Sequence, residues 1–139
     1  MNKDNVAYQL SLKSREYVRT HNKAGWLGMF AEDGIIEDPI GKSMLDPDGK
    51  GHRTPQMREA FWDRNIANSD INIEIKESFT SDLECANVLV LRMVIHAEGK
   101  RYSQEIHGIF TCKANAAGKL LALRGYWEFA EGAATFKEI

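Results

Sequence analysis

The residue best placed to do chemistry is Asp38, in the run Gly34-Ile35-Ile36-Glu37-Asp38-Pro39. A short apolar stretch ends there in a carboxylate, and the proline that follows biases its backbone toward an extended form. A carboxylate among apolar groups loses hydration, so its pKa rises and it can exchange protons near neutrality as a general base. On a strand, Asp38 shares a face with Ile36, and Glu37 shares the other with Ile35. From the residues alone two roles stay open: a hydrogen-bonded cap at a strand end, or a base facing a pocket. The other titratable groups form no constellation. Glu105 and His107 alternate onto one face of a later strand, and His21, His52 and His96 have no metal-ligand spacing. No metal site and no cofactor are expected. Cys85 and Cys112 belong to no metal or redox motif and read as buried thiols of a reducing compartment.

The elements that must position Asp38 follow from periodicity. Val6, Leu10, Tyr17 and Val18 mark the stripe of a first helix ending near His21-Asn22, and a short helix over 23–30 would bury Trp26, Leu27, Met29 and Phe30. A strand starts at Gly34. Asp46-Pro47-Asp48-Gly49 marks a turn inside a polar loop over 42–53. Thr54-Pro55 is a helix start, with a hydroxyl cap and then proline at the first helical position; Phe61, Trp62 and Ile66 follow. Ile71-Asn72-Ile73-Glu74-Ile75 alternates as a half-solvated strand, and 88–95 is a nearly continuous apolar run. Turns at Glu98-Gly99 and over 115–118 lead into strands over 101–113 and 120–129. Helices first and a strand meander afterwards predict an α+β domain: a curved antiparallel sheet with helices on its concave face, enclosing a pocket.

The 139 residues fit one domain, 1–139. With 18 basic and 20 acidic residues, a formal net charge of −2, and no basic run, nucleic acid is not an expected partner. No apolar stretch reaches membrane-spanning length, and the first residues lack a signal-peptide pattern, so a cytoplasmic protein is expected.

The segment 29–41, Met-Phe-Ala-Glu-Asp-Gly-Ile-Ile-Glu-Asp-Pro-Ile-Gly, resembles the active-site segment of bacterial ketosteroid isomerases. Residues 118–127, Gly-Lys-Leu-Leu-Ala-Leu-Arg-Gly-Tyr-Trp, resemble that family's last strand, and the order of elements agrees over essentially the whole chain. The family lies in the cone-shaped NTF2-like superfamily, which includes the SnoaL-like cyclases. The likeness is strongest to a mycobacterial ketosteroid-isomerase-like subgroup.

The resemblance implies a steroid delta-isomerase-like protein, with Asp38 as general base, Tyr17 as oxyanion donor and Trp127 as an aromatic wall. Phe30, Phe61, Trp62 and Phe110 are further wall candidates, and Gly108 falls where the family carries a second, protonated acid. For Tyr17, Trp127 and the phenylalanines, a place in the core is the alternative. Arg92 and Arg124 are expected to pair with carboxylates across the sheet or at a dimer face. The expected partners are a steroid-like hydrophobic small molecule and a second copy of the chain. Alternative functions are a non-catalytic binding protein for a flat apolar ligand, favoured by Gly108, and a SnoaL-like polyketide cyclase. An epoxide hydrolase of this fold would need an Asp-Arg-Asp trio. The 42–53 loop, beginning four residues after Asp38, is a candidate lid whose Lys42, Lys50, His52 and Arg53 would favour an anionic ligand.

Overall fold

A computed structural model describes all residues, 1–139. The elements run α1 (Val6–Arg19), α2 (Lys23–Gly28), β1 (Phe30–Glu37), α3 (Pro55–Asn65), β2 (Ser69–Ser81), β3 (Glu84–Ala97), β4 (Lys100–Ala114), β5 (Leu120–Tyr126), α4 (Phe129–Ala134) and β6 (Lys137–Glu138). Three helices start on side chains that accept the N–H groups left free in a first turn. Asn5 accepts from Tyr8 N, Asn22 from Gly25 N and Thr54 from Met57 N. No helix is long and apolar enough to cross a membrane.

The sheet has the order β1-β5-β4-β3-β2, with β6 pairing β4. It departs from the antiparallel expectation in one place: β1 runs parallel to β5. Strand β1 also begins earlier than the sequence suggests, at Phe30, with an irregularity between Phe30 and Ile35. Its start is hidden because Glu32-Asp33-Gly34 breaks the alternation. The long strands β2, β3 and β4 pair over nearly their whole length, so every second side chain points to one concave face.

Helix α1 crosses that face. Asn5 Nδ2 donates to Asp82 O at the β2–β3 turn, and His21 Nε2 lies 2.7 Å from Ser69 O at the other end of β2. The buried stripe is Ala7, Leu10, Ser11 and Val18; Val6 is exposed. Trp26 is the centre of an aromatic cluster at one end of the domain, edge-on to Phe30 at 5.1 Å, stacked with Phe61 at 6.2 Å and tilted against Trp62 at 5.4 Å.

Arg58 of α3 anchors β1. It is 4 % exposed, and its guanidinium donates to the carbonyl oxygens of Gly34 (2.6 Å) and Glu32 (3.2 Å) and caps the Phe30 ring. No carboxylate bonds it, and burial lowers its pKa. Its partners are backbone carbonyls that would otherwise be left without donors. Arg58→Met, which keeps the stem but removes the donors, is expected to cost about 1–3 kcal/mol in urea unfolding; an unchanged midpoint would remove Arg58 as the anchor of β1.

Candidate active site

Between the concave sheet face and the helices lies a cavity of about 440 Å³, within the range of small-molecule sites. Its lining is mostly apolar, and its only charged side chains are Asp38 and Arg64. Alternation builds one wall: Ile71, Ile73 and Ile75 of β2 and Leu89, Leu91 and Met93 of β3 all point inward. The continuous apolar run of β3 conceals in the sequence which of its faces does so.

Asp38 follows the last residue of β1. Ile36, on its face, is fully buried, while Glu37 turns the other way and pairs with Arg124 at 3.0 Å. The Asp38 carboxyl accepts a hydrogen bond from Trp127 Nε1 at 2.6 Å. Burial raises its pKa from 3.8 to about 6, and the indole N–H opposes the rise. Gly125 makes this approach possible: a Cβ there would stand 2.8 Å from Asp38 Oδ1 and 2.8 Å from the Phe110 ring.

The other sequence-predicted positions divide. Trp127, Phe61 and Phe110 line the cavity. Phe30 and Trp62 do not; both are buried in the aromatic cluster around Trp26, where they close one end of the domain. Tyr17 does not line the cavity either. Its ring covers Gly25, where a Cβ would meet Tyr17 Cε1 at 2.7 Å. The cavity-facing positions of α1 are Ser11, Ser14 and Val18, and no tyrosine lines the chamber at all.

Gly108 lies on the inner face of β4 with Ile106 and Phe110, but it is covered rather than open to the cavity. A Cβ at this position would sit 2.6 Å from Tyr126 O and 3.2 Å from Trp127 Cβ. Any side chain there would push back the end of β5, so the space that a second acid would need is taken by the Tyr126 carbonyl and Trp127 Cβ. Glu105 and His107 face outward and bond each other at 2.8 Å. Arg92 is also outside, 3.0 Å from Glu74 and 3.8 Å from Glu105. With one acid in the chamber, no Asp-Arg-Asp trio assembles.

Three groups of lining residues escape the sequence pattern. The first is α4, of which only Phe129 falls within the expected last strand over 120–129; it contributes Phe129 and Ala133, followed by Phe136. No side chain caps α4, and tertiary bonds hold it: Gln104 Nε2 donates to Gly132 O, and Thr135 Oγ1 to Glu105 O. The second is polar: Ser14, Asn87 and Gln104, which nothing in the sequence separates from other polar residues. The third is the 42–53 loop. It returns to β1 through paired backbone bonds between His52 and Ile36, and Met44 and Leu45 line the cavity. Lys42, Lys50, His52 and Arg53 do not reach it; the cation there is Arg64 of α3, which makes no ion pair. The His52 ring lies against Phe61 at 5.0 Å, with Nε2 buried and unpaired.

Fold and site together define a class: a cone-shaped α+β domain that keeps an apolar chamber with a single, half-buried acid. No family profile and no curated protein sequence matches the chain. Solved structures do. Rv0760c from Mycobacterium tuberculosis is 33% identical over 100% of both chains, with a TM-score of 0.85, and has also been solved in complex with estradiol-17beta-hemisuccinate. The Δ5-3-ketosteroid isomerase from Mycobacterium sp. is 30% identical over 97% of this chain and 99% of that one, with a TM-score of 0.84. A computationally designed 17-OHP binder is 31% identical over 98% and 100%, with a TM-score of 0.86. The epoxide hydrolase/cyclase-like enzyme SalBIII, at 16% identity and a TM-score of 0.75, shares the fold. The chain belongs to the ketosteroid-isomerase-like family of the NTF2-like superfamily.

The raised pKa of Asp38 carries a stability consequence. The folded form holds the Asp38 proton up to about pH 6, the unfolded chain only to about 3.8. The contribution of this one group to stability is therefore greatest below pH 4, falls as pH rises from about 4 to 6, and is lower by about 3 kcal/mol at pH 7. Asp38→Asn, which keeps an acceptor for Trp127, is expected to be more stable than the parent at pH 7 by up to about that amount, with the gain gone near pH 4. Thermal melts across pH 4–8 measure this, and a pH-independent difference would contradict it.

Proposed function

We propose that this protein is a ketosteroid-isomerase-like enzyme that moves a proton on a flat, steroid-sized ketone, with Asp38 as the base. The observation that carries this is a carboxyl with a pKa of about 6, buried against the apolar chamber and held by Trp127. In a β,γ-unsaturated ketone, Asp38 removes a proton from the carbon between carbonyl and alkene. The electron pair moves onto the carbonyl oxygen, giving a dienolate. The same carboxyl, now protonated, returns the proton to the far alkene carbon and leaves a conjugated ketone. Nothing is oxidised or reduced. A group titrating near neutrality serves both halves, as base and then as acid. Phe110 and Phe61 are flat walls for a ring system, and the steroid-like ligands of Rv0760c and the designed binder support a ligand of this shape.

Conversion of a 5-ene-3-ketosteroid, followed by ultraviolet absorption of the conjugated enone, tests this. Turnover is expected to rise with pH through about 6 and then level, and Asp38→Asn is expected to lower it about 10²–10⁴-fold. Turnover unaffected by that substitution would remove Asp38 as the base. One observation favours a second reading, a steroid-binding protein without catalysis: no tyrosine and no second acid lines the chamber. Tight steroid binding with no turnover in the parent protein would decide for it.

We also propose a homodimer through the outer sheet face. Phe79 (58 % exposed), Ile109 (43 %) and Tyr126 (50 %) all point outward there, where Ile109 and Tyr126 are direct cross-strand partners. Ile109→Glu is expected to convert a dimer to a monomer in light scattering; a parent chain that is already monomeric at high micromolar concentration would rule the dimer out.

A further inference from the structure

Two side chains on facing walls of the chamber each hold a donor hydrogen with no partner in the protein. Asn87 of β3 is 3 % exposed and lines the cavity. Its Oδ1 accepts from Ser78 Oγ at 2.7 Å and from Cys85 Sγ at 3.3 Å, so the amide is pinned from behind and Nδ2 donates to nothing. The one sealed polar atom without a partner is His52 Nε2, so Asn87 Nδ2 keeps access to open space, and the space beside it is the chamber. Ser14 of α1 also lines the chamber. Its Oγ accepts from Trp26 Nε1 at 3.0 Å, while its own hydrogen is uncommitted. Of the other polar side chains in the lining, Ser11 Oγ donates to Tyr8 O, Gln104 Nε2 to Gly132 O and Trp127 Nε1 to Asp38, while Arg64 and Asn65 of α3 and Ser69 at the start of β2 make no side-chain hydrogen bond.

The two donors sit at one level of the cone. Strand pairing sets Asn87, Phe110 and Gly125 in one row, and the Asp38 carboxyl lies over Gly125. Two strand spacings separate Asn87 from that point, about 10 Å. Phe110 leans toward Gly125. On the opposite wall Ser11 lies beside Cys85, the neighbour of Asn87 on the inner face of β3. Ser14 is one turn further along α1, toward the Ser69 end. The span suits a ketone: about 3 Å from Asp38 to the reacting carbon, two bonds to the oxygen, and about 3 Å to a donor.

We propose that Ser14 Oγ–H and Asn87 Nδ2–H form the oxygen-binding pair of this chamber, taking the ketone or phenolic oxygen of a flat apolar ligand whose ring edge lies against Asp38. The pair supplies the donors that neither Tyr17 nor position 108 provides. As proton transfer to Asp38 puts negative charge on the ligand oxygen, both hydrogen bonds strengthen. The ligand's orientation rests on the isomerase reading; the oxygen contacts can be measured without turnover.

The probe is 2-naphthol, whose absorbance and fluorescence separate its neutral and ionised forms, with naphthalene as the oxygen-free control. Asn87→Asp keeps Oδ1 for Ser78 and Cys85 but removes the amide donor, and Ser14→Ala removes the hydroxyl. Each is expected to weaken 2-naphthol binding roughly 10-fold or more, to return the bound naphthol's ionisation toward its solution value, and to leave naphthalene binding unchanged. Unchanged naphthol binding in both variants would overturn the pair, as would an equal loss of naphthol and naphthalene. The two proposals fail separately. Turnover insensitive to Asp38→Asn removes the base and leaves the naphthol result standing; unaltered naphthol binding removes the pair even where Asp38→Asn abolishes turnover.

Discussion

A carboxyl taken out of water needs a donor, and here it is the indole N–H of Trp127, 2.6 Å from Asp38. Much of the local structure exists to allow that contact. Gly125 lets the carboxyl down onto β5, Gly108 lets the end of β5 lie close to β4, and Gly132 leaves room for the indole, where a Cβ would be 2.8 Å from Trp127 Cζ3. Each glycine gives up a side chain so that an acid and an indole can meet at the wall of an apolar chamber. Gly108 thus gives up a side chain for the approach of β5 that seats Trp127.

The chamber itself is a consequence of the sheet. Long paired strands with alternating side chains give β2, β3 and β4 one apolar concave face, and α1 spans it from the β2–β3 turn to Ser69. The aromatic cluster around Trp26 fills one end, and Arg58 fixes β1 to α3 there. The remainder is lined rather than filled, leaving about 440 Å³ that costs packing contacts in the protein alone and is recovered when an apolar ligand enters. The 42–53 loop borders this space with Met44, 82 % exposed, and is strapped to β1 through His52 and Ile36.

What was legible in the sequence was local. Thr54-Pro55 caps a helix through contacts within one turn, and Glu98-Gly99 adopts the positive φ angles of a tight hairpin. The face shared by Ile36 and Asp38 follows from a period of two. What stayed hidden depends on partners distant in the chain. The parallel pairing of β1 with β5 is long-range, and α4 has no cap of its own. The rotation of α1 about its axis decides between Tyr17 and Ser14. Both belong to a helix with a modest apolar stripe, and only its docking on β2 and β3 turns Ser14 inward and lays Tyr17 over Gly25.

The sequence by itself determined the α+β order of elements, the family, and the carboxylate before Pro39, because these rest on periodicity, turn chemistry and a contiguous motif. Only the tertiary structure decided that the half-buried Asp38 meets Trp127. It alone decided that position 108 has no room for a side chain, and that Ser14, Asn87 and Arg64 join one chamber. The physical reason is common to all of these. Burial, hydrogen-bond partners and free donors are properties of groups brought together from separate strands and helices, and no window of the chain contains them.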